Sequence, residues 1–132
     1  MDLKGGDDML NKQAFLNAIY QDIDMVRGDT LAFNFIIAGL GNLEPTFSFT
    51  CKNHYDDDSA LFSCVSGYGI ERVKHTEKED TFVVWVDPVK TKNLDLARYY
   101  YDLEMQCGDD IITLMRGRLT LLWETTRGAD NG

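Results

Sequence analysis

The sequence predicts an all-β protein, an immunoglobulin-like antiparallel β-sandwich of seven to eight strands. Two observations lead to this prediction. Apolar and polar residues alternate with a period of two in most segments after residue 19, which is typical of strands with one buried face. Turn-forming residues recur roughly every ten residues, as they do in antiparallel sandwiches. A small barrel is the competing architecture.

The strongest strand signal is Arg98–Cys107, where ten residues alternate strictly. Turn residues follow at Gly108, and a second apolar run, Ile111–Trp123, returns along the first. The pair predicts a long antiparallel hairpin. The apolar phase is interrupted around residues 116–118, which favours a bulge there.

Three consecutive tyrosines stand at the start of this hairpin. Alternation places Tyr99 and Tyr101 in the core, and a tyrosine at the entry to a late strand of a sandwich is placed to bond upstream backbone through its hydroxyl. Tyr100 faces outward. An exposed aromatic residue on a sheet predicts a subunit contact, together with Trp85 or Phe82 according to which side of their strand is buried.

The remaining elements follow the same period. Residues 89–96 have the spacing of one or two helical turns. The other predicted strands are 19–26, 30–38, 46–52, 61–65, 70–75 and 81–86.

The domain organisation is simple. We expect residues 1–18 to be a polar N-terminal arm, a short helix or an extended segment, in which Leu10 and Phe15 are candidate subunit contacts. Residues 19–124 form the sandwich, and residues 125–132 form a polar tail.

Composition restricts the partners. The 132 residues carry a net charge of −9, from 22 acidic and 13 basic side chains, and show no basic cluster, so we expect no nucleic-acid partner. The apolar runs are too short to span a bilayer, and the start of the chain lacks the layout of a secretory signal. We therefore expect a protein made in a cytosol, with no membrane partner.

The candidate chemical residues favour structural roles. Cys51, Cys64 and Cys107 lack the spacing of a disulfide framework or zinc site, and are expected to be reduced and mostly buried. His54 and His75 lie in no catalytic signature, although a Cys64–His75 pair would be one route to a small hydrolase. We predict no catalytic residue, no metal and no cofactor.

Two kinds of aspartate-containing turn invite functional interpretations. Arg27-Gly28-Asp29 spells an integrin-binding tripeptide, but Gly28 and Asp29 are also ordinary turn residues that supply a positive φ and bond nearby backbone. An adhesion module that uses this turn is the alternative function. Aspartates cluster in turns, where solvated loops are a better interpretation than calcium sites. These clusters are residues 7–8, 56–58 and 109–110.

Three stretches carry a family resemblance. They are Asp22–Thr30, Arg98–Met105 and Leu114–Leu121. Together they resemble the immunoglobulin-like N-terminal domain of upper baseplate proteins of bacteriophages and related prophage virion proteins, over residues 19–124. The sequence departs from that pattern at Ala97, where the family has glycine.

The resemblance implies a function and a place. It implies a non-enzymatic structural subunit of a phage tail, baseplate or neck, acting through protein–protein contacts. The expected partners are other copies of the chain, as a homo-oligomer, and other virion proteins. The expected location is the virion, after synthesis in the cytoplasm of a bacterial host.

Overall fold

The computed structural model describes residues 18–125 of the chain. Within this range the fold is an all-β sandwich, as predicted, with a 3₁₀ turn at Pro88–Lys90. No helix in these residues is long and apolar enough to cross a membrane. The strands are β1 (Ile19–Tyr20), β2 (Ile23–Val26), β3 (Leu31–Ala38), β4 (Thr46–Lys52), β5 (Phe62–Ser66), β6 (Gly69–His75), β7 (Glu79–Val86), β8 (Arg98–Cys107) and β9 (Asp110–Leu122).

The strands form one curled, mixed sheet. Their order is β1-β9-β8-β4-β5-β6-β7-β3, and β2 also pairs with β9. Most pairs are antiparallel, but β1 and β2 run parallel to β9, and β5 meets β6 in a short parallel contact. The sequence pattern predicts strands but not their partners, so these parallel contacts are new information from the structure.

The predicted hairpin is the centre of the fold. β8 spans the predicted residues and pairs with β4 on one side and β9 on the other. Leu103 pairs with Met115 and Glu104 pairs with Thr113, so Leu114 is the extra residue of a bulge. The bulge therefore precedes the predicted position at residues 116–118, and pairing with β8 continues through those residues.

The predicted first strand, 19–26, is divided into β1 and β2. Between them, Gln21 and Asp22 leave the regular ladder opposite Gly117. The backbone amide of Gln21 still donates to the carbonyl of Arg116 (2.9 Å), and the Asp22 carboxylate accepts from the amide of Arg118 (2.9 Å). Local polar contacts thus replace two rungs of the ladder.

Aromatic rings join the two halves of the curled sheet. Phe33 of β3 meets Phe49 of β4 edge to face at 5.7 Å between ring centroids. Phe47 of β4 lies 5.0 Å from Phe35 of β3 and 4.4 Å from Phe82 of β7. Such ring pairs contribute about 0.5–1.5 kcal/mol each beyond their buried area. They pack the β3–β7 side onto the β4–β8 side.

The two ends of the chain contain predictions that the structure does not address. The N-terminal helix, with Leu10 and Phe15 as subunit contacts, lies outside the described residues, and so does most of the predicted tail. Of the predicted helical turns in residues 89–96, a single 3₁₀ turn at Pro88–Lys90 is present.

Candidate functional site

The outer face of β4, β8 and β9 carries an open groove of about 470 Å³. Even-numbered residues of β4 and β8 point outward here because the odd-numbered ones, including Tyr99 and Tyr101, are buried in the core. We call it the tyrosine–arginine groove. Its principal side chains are Tyr20, Thr50, Lys52, Tyr55, Tyr100, Asp102, Thr113, Arg116 and Arg118.

Strand register arranges the centre of the groove in two rows. In the first row, Tyr100 of β8 pairs with Lys52 on β4 and with Arg118 on β9. Directly opposite residues on one face of a sheet have Cβ atoms about 5 Å apart, so their side chains interact. Each row therefore holds three neighbouring side chains on the outer face of the sheet.

The second row has the same layout. Asp102 of β8 pairs with Thr50 on β4 and with Arg116 on β9. A polar or cationic side chain thus flanks the central strand on each side in both rows.

Three tyrosines border the two rows: Tyr100 belongs to the first row, and Tyr20 pairs with Arg116 of the second row. The rings of Tyr55 and Tyr100 meet edge to face, with centroids 5.7 Å apart and planes at 72°. Tyr55, in the loop after β4, is 74% exposed, and Tyr20, on β1, is 62% exposed. Exposed rings held beside a sheet face provide apolar surface with hydroxyl groups at the edge.

The groove is cationic although the protein is acidic. Arg116 and Arg118 are exposed, and no carboxylate within residues 18–125 lies within 4.0 Å of their charged groups. Among the described residues that line the groove, Asp102 is the one that carries a carboxylate. Burial raises the pKa of Asp102, while the nearby Lys52 and Arg116 partly offset this effect.

The backbone that positions the two arginines is held by the first segment of the domain. Gly117, between the arginines, is buried against the backbone of Gln21. The hydroxyl of Tyr101 donates to the carbonyl of Gln21, while Asp22 accepts from the amide of Arg118. These contacts fix the β9 backbone so that both arginines project from the same face.

The predicted structural tyrosines lie beneath the groove. Tyr99 is 5% exposed, and its hydroxyl donates to the carbonyl of Asp95 (2.7 Å), upstream in the chain. Tyr101 is 4% exposed and bonds the backbone of Gln21. Tyr100, predicted as a subunit contact, lines the groove.

The Arg27-Gly28-Asp29 segment is a turn. Gly28 has φ 80°, and the amide of Asp29 donates to the carbonyl of Val26 (3.0 Å). The Arg27 guanidinium binds Glu124 at 2.7 Å and the carbonyl of Leu94 at 3.0 Å. An adhesion motif needs a guanidinium that a receptor can reach, and this one is engaged within the domain.

The structure does not bring Cys64 and His75 together. Cys64 is buried next to Gly69, the first residue of β6, whereas His75 is the last residue of that strand. At the rise per residue of an extended strand, the backbones of Gly69 and His75 are about 20 Å apart. His75 instead contacts the buried carboxylate of Asp80. A nucleophilic dyad needs hydrogen-bond contact, so this pair has no catalytic geometry.

Metal ligands are not gathered in the described part of the chain. Among residues 18–125, no group of three or more His, Cys, Asp or Glu side chains is placed to hold an ion. In the acidic loop at residues 56–58, Asp57 accepts from the backbone amide of His54 (3.0 Å), which is ordinary turn chemistry.

Sequence reasoning missed the groove. Its residues come from four separate segments, at positions 20, 50–55, 100–102 and 113–118, and only the last of them, with Arg116 and Arg118, is basic by itself. Outward alternation of Tyr100 was the available signal. Arg116 and Arg118 share a face by alternation along β9, but only strand register brings Lys52 and Tyr100 beside them.

Comparison with known proteins gives a likeness of fold. No protein-family model and no curated protein sequence matches the chain. Among solved structures, the chain is similar to part of a family 123 glycoside hydrolase from Clostridium perfringens, a structure that concerns glycolipid glycan hydrolysis. The TM-score is 0.50 at 10% sequence identity, and the match covers 87% of this chain and 25% of that one.

This comparison corrects the predicted function. The expectation of a phage structural subunit is wrong, because the similar structure is a glycoside hydrolase and not a virion protein. The physical reason for the error is that the motifs behind it, chiefly Arg98–Met105 and Leu114–Leu121, encode the last hairpin of a β-sandwich. Hairpins of this kind occur in folds that serve many functions.

Proposed function

We propose that the domain binds acidic saccharides in the tyrosine–arginine groove. The observation that carries this proposal is the placement of three tyrosines beside a lysine and two arginines on one open face of the sheet, where no carboxylate of residues 18–125 lies within 4.0 Å of the arginine charges. The domain would hold a glycan without cleaving it.

The tyrosines suit the sugar ring. Pyranose rings have apolar C–H faces that pack on aromatic rings, and hydroxyl groups around the edge that need hydrogen-bond partners. Tyr20, Tyr55 and Tyr100 supply the aromatic surface. Asp102 and Thr50, in the adjoining row, supply oxygen atoms that accept from sugar hydroxyls.

The cations determine the class of sugar. Arginine binds carboxylate or sulfate oxygens through two parallel N–H donors, and such charge-assisted bonds are about twice as strong as neutral ones. Arg118 lies in the same row as Tyr100, so a ring packed on Tyr100 brings an acidic substituent within its reach. Lys52 adds a second cation at the other end of that row.

The likeness to part of a glycoside hydrolase supports a saccharide over a nucleic acid. A groove with tyrosines and arginines also suits single-stranded nucleic acid, whose bases stack on aromatic rings. However, the net charge of −9 repels an extended polyanion, whereas one acidic sugar fits within the local cationic patch.

Hydrolysis is the second candidate function. Asp102 and Glu104 are alternate residues on one face of β8, about 6.7 Å apart along the strand. Glycosidases use pairs of carboxylates, and the raised pKa of Asp102 suits a general acid. Binding is favoured because Glu104 lies outside the tyrosine–arginine groove, in a neighbouring depression.

The proposal is tested by titration calorimetry of the full chain with three probes. Sialyllactose carries a carboxylate, sulfated lactose carries a sulfate, and lactose is neutral. We expect both acidic probes to bind, and lactose to bind more weakly by about tenfold or more, the loss of one charged hydrogen bond. The relative affinities of the two acidic probes identify the preferred anion.

Variants locate the binding. The double substitution Arg116→Gln and Arg118→Gln should reduce the affinity for acidic probes by about 10- to 100-fold. Arg98→Gln is the matched control, because Arg98 is an exposed arginine on β8 outside the groove. Equal losses in both variants, or binding of none of the probes, would overturn the proposal.

Two further assays address the other functions. Tight binding of a single-stranded oligonucleotide in the absence of saccharide binding would assign the groove to nucleic acid. Release of sugar products that stops in Asp102→Asn would replace binding by hydrolysis.

A further inference from the structure

We infer that β3 is an interface at which two copies of the chain join their sheets edge to edge. Among the strands of residues 18–125, β3 (Leu31–Ala38) is the last in the sheet order and pairs only with β7. Within residues 18–125, its backbone makes no hydrogen bond to any other segment. This inference is independent of saccharide binding, because the groove lies on β4, β8 and β9.

Unpaired backbone groups define the chemistry of this edge. In an antiparallel pair, alternate residues direct their N–H and C=O groups away from the partner strand. About half of the eight residues of β3 therefore present donors and acceptors along its free side. The partner that satisfies such a row is another β-strand.

The sequence of β3 does not protect the edge. Its eight residues are Leu-Ala-Phe-Asn-Phe-Ile-Ile-Ala, with no charge, proline or glycine, and the pairing with β7 contains no bulge. Proteins usually protect an edge strand with those features. A long, regular and uncharged edge is therefore suited to pairing.

The opposite end of the sheet provides an internal comparison. There, β1 and β2 have two and four residues, and they are separated at Gln21 and Asp22. β2 also carries an exposed aspartate, Asp24. This end is short, interrupted and charged, so it is protected by the features that β3 lacks.

A second copy of the chain is the occupant that fits best. A two-fold axis places β3 antiparallel to itself, so the same edge serves both partners. Two chains with a net charge of −9 repel each other, but no charge lies in the strand where they would meet. Exposed apolar side chains adjoin the edge on the outer face: Ile36 is 58% exposed, and Trp85 of β7, opposite Ala32, is 49% exposed.

The test combines solution mass with hydrogen exchange of the full chain. Over rising concentration, the mass should increase from 15.0 kDa towards twice that value, and amides of Leu31–Ala38 should become protected in parallel. Ile36→Lys places a charge on each side of the two-fold axis and should weaken dimerisation by about tenfold or more. Asn34→Lys, at another exposed position of β3, should act in the same way.

A matched control and two contrary outcomes complete the test of dimerisation through β3. Ile111→Lys adds the same charge at a residue of β9 that is 63% exposed, far from β3 in the sheet order, and should leave dimerisation unchanged. A monomer at every concentration would overturn the inference. If the amides of β3 are protected in that monomer, another segment of the same chain covers the edge.

Discussion

The backbone of Gln21 crosses Gly117 so closely that a Cβ atom on Gly117 would lie 2.2 Å from the Gln21 carbonyl oxygen. No rotamer relieves such an overlap, because both atoms belong to the backbone framework. The glycine therefore lets the first segment of the domain pack on β9, and it does so between Arg116 and Arg118.

Gly117→Ala should destabilise the domain. Moving the Gln21 backbone costs about 1–3 kcal/mol, as overpacking does elsewhere, and also disturbs its bond with Tyr101. Urea denaturation measures the loss. Gly41→Ala is the control: Gly41 has φ 58° but open space around it, so only left-handed strain of about 1 kcal/mol is expected. Equal effects in the two variants would contradict the close contact.

Tyr101→Phe should also destabilise the domain, by about 0.5–1.5 kcal/mol, because it removes the hydroxyl that donates to Gln21. Denaturant unfolding measures this change. Tyr68→Phe is the control, since Tyr68 is 82% exposed. An equal loss in the control would show that the buried hydroxyl bond has no special role.

Alkaline pH should reduce the difference in the free energy of unfolding between the wild type and Tyr101→Phe. Burial raises the pKa of Tyr101 from 10.0 to about 12. The unfolded chain thus ionises first, and the stability contributed by this tyrosine is complete below the unfolded pKa and is lost as pH rises through the folded value. Denaturation at a series of alkaline pH values tests this, and a constant difference across the range would contradict it.

The three cysteines should differ in reactivity. Burial raises the pKa of Cys51 to about 12 and also raises that of Cys64, and both side chains are almost fully covered. Cys107 is only half-buried. A thiol reagent at neutral pH should therefore modify Cys107 first and the other two only in denaturant. Rapid modification of Cys64 in the folded protein would restore the case for a nucleophilic cysteine.

Asp102→Asn should strengthen binding of sulfated lactose at neutral pH, because it removes a negative charge that lines the groove. In the wild type, affinity should rise as acidification protonates Asp102, whose pKa is raised by burial. The sulfate stays ionised, so the probe does not contribute to this change. Calorimetry at several pH values should give a flatter profile for the variant. Identical profiles would exclude Asp102 from the site.

The sequence was sufficient for the fold class because alternation is a local property. The inward residues of β4 and β8, such as Phe49 and Leu103, are buried as their spacing predicts. The division of residues 19–26 could not be predicted, because it depends on the contact of Gln21 with Gly117, nearly a hundred residues later in the chain. The parallel pairing of β2 with β9 depends on the same long-range packing.

The candidate site was less accessible to sequence reasoning than the fold. Alternation predicts that Tyr100 faces outward, but its neighbours Lys52 and Arg118 lie on other strands. Net charge was misleading for this face, since an acidic total conceals a local cationic cluster. The pairing register of β4, β8 and β9 is the information that the sequence alone lacks.

The most direct test of the central claim is a nuclear magnetic resonance titration of the isotope-labelled chain with sialyllactose. Saccharide binding in the tyrosine–arginine groove predicts saturable shifts of the backbone amides of Lys52, Tyr100 and Arg118, with few changes elsewhere. Unchanged resonances at these residues, or shifts confined to the exposed aromatic residues Tyr68 and Trp85, which line a separate depression along β6 and β7, would contradict it.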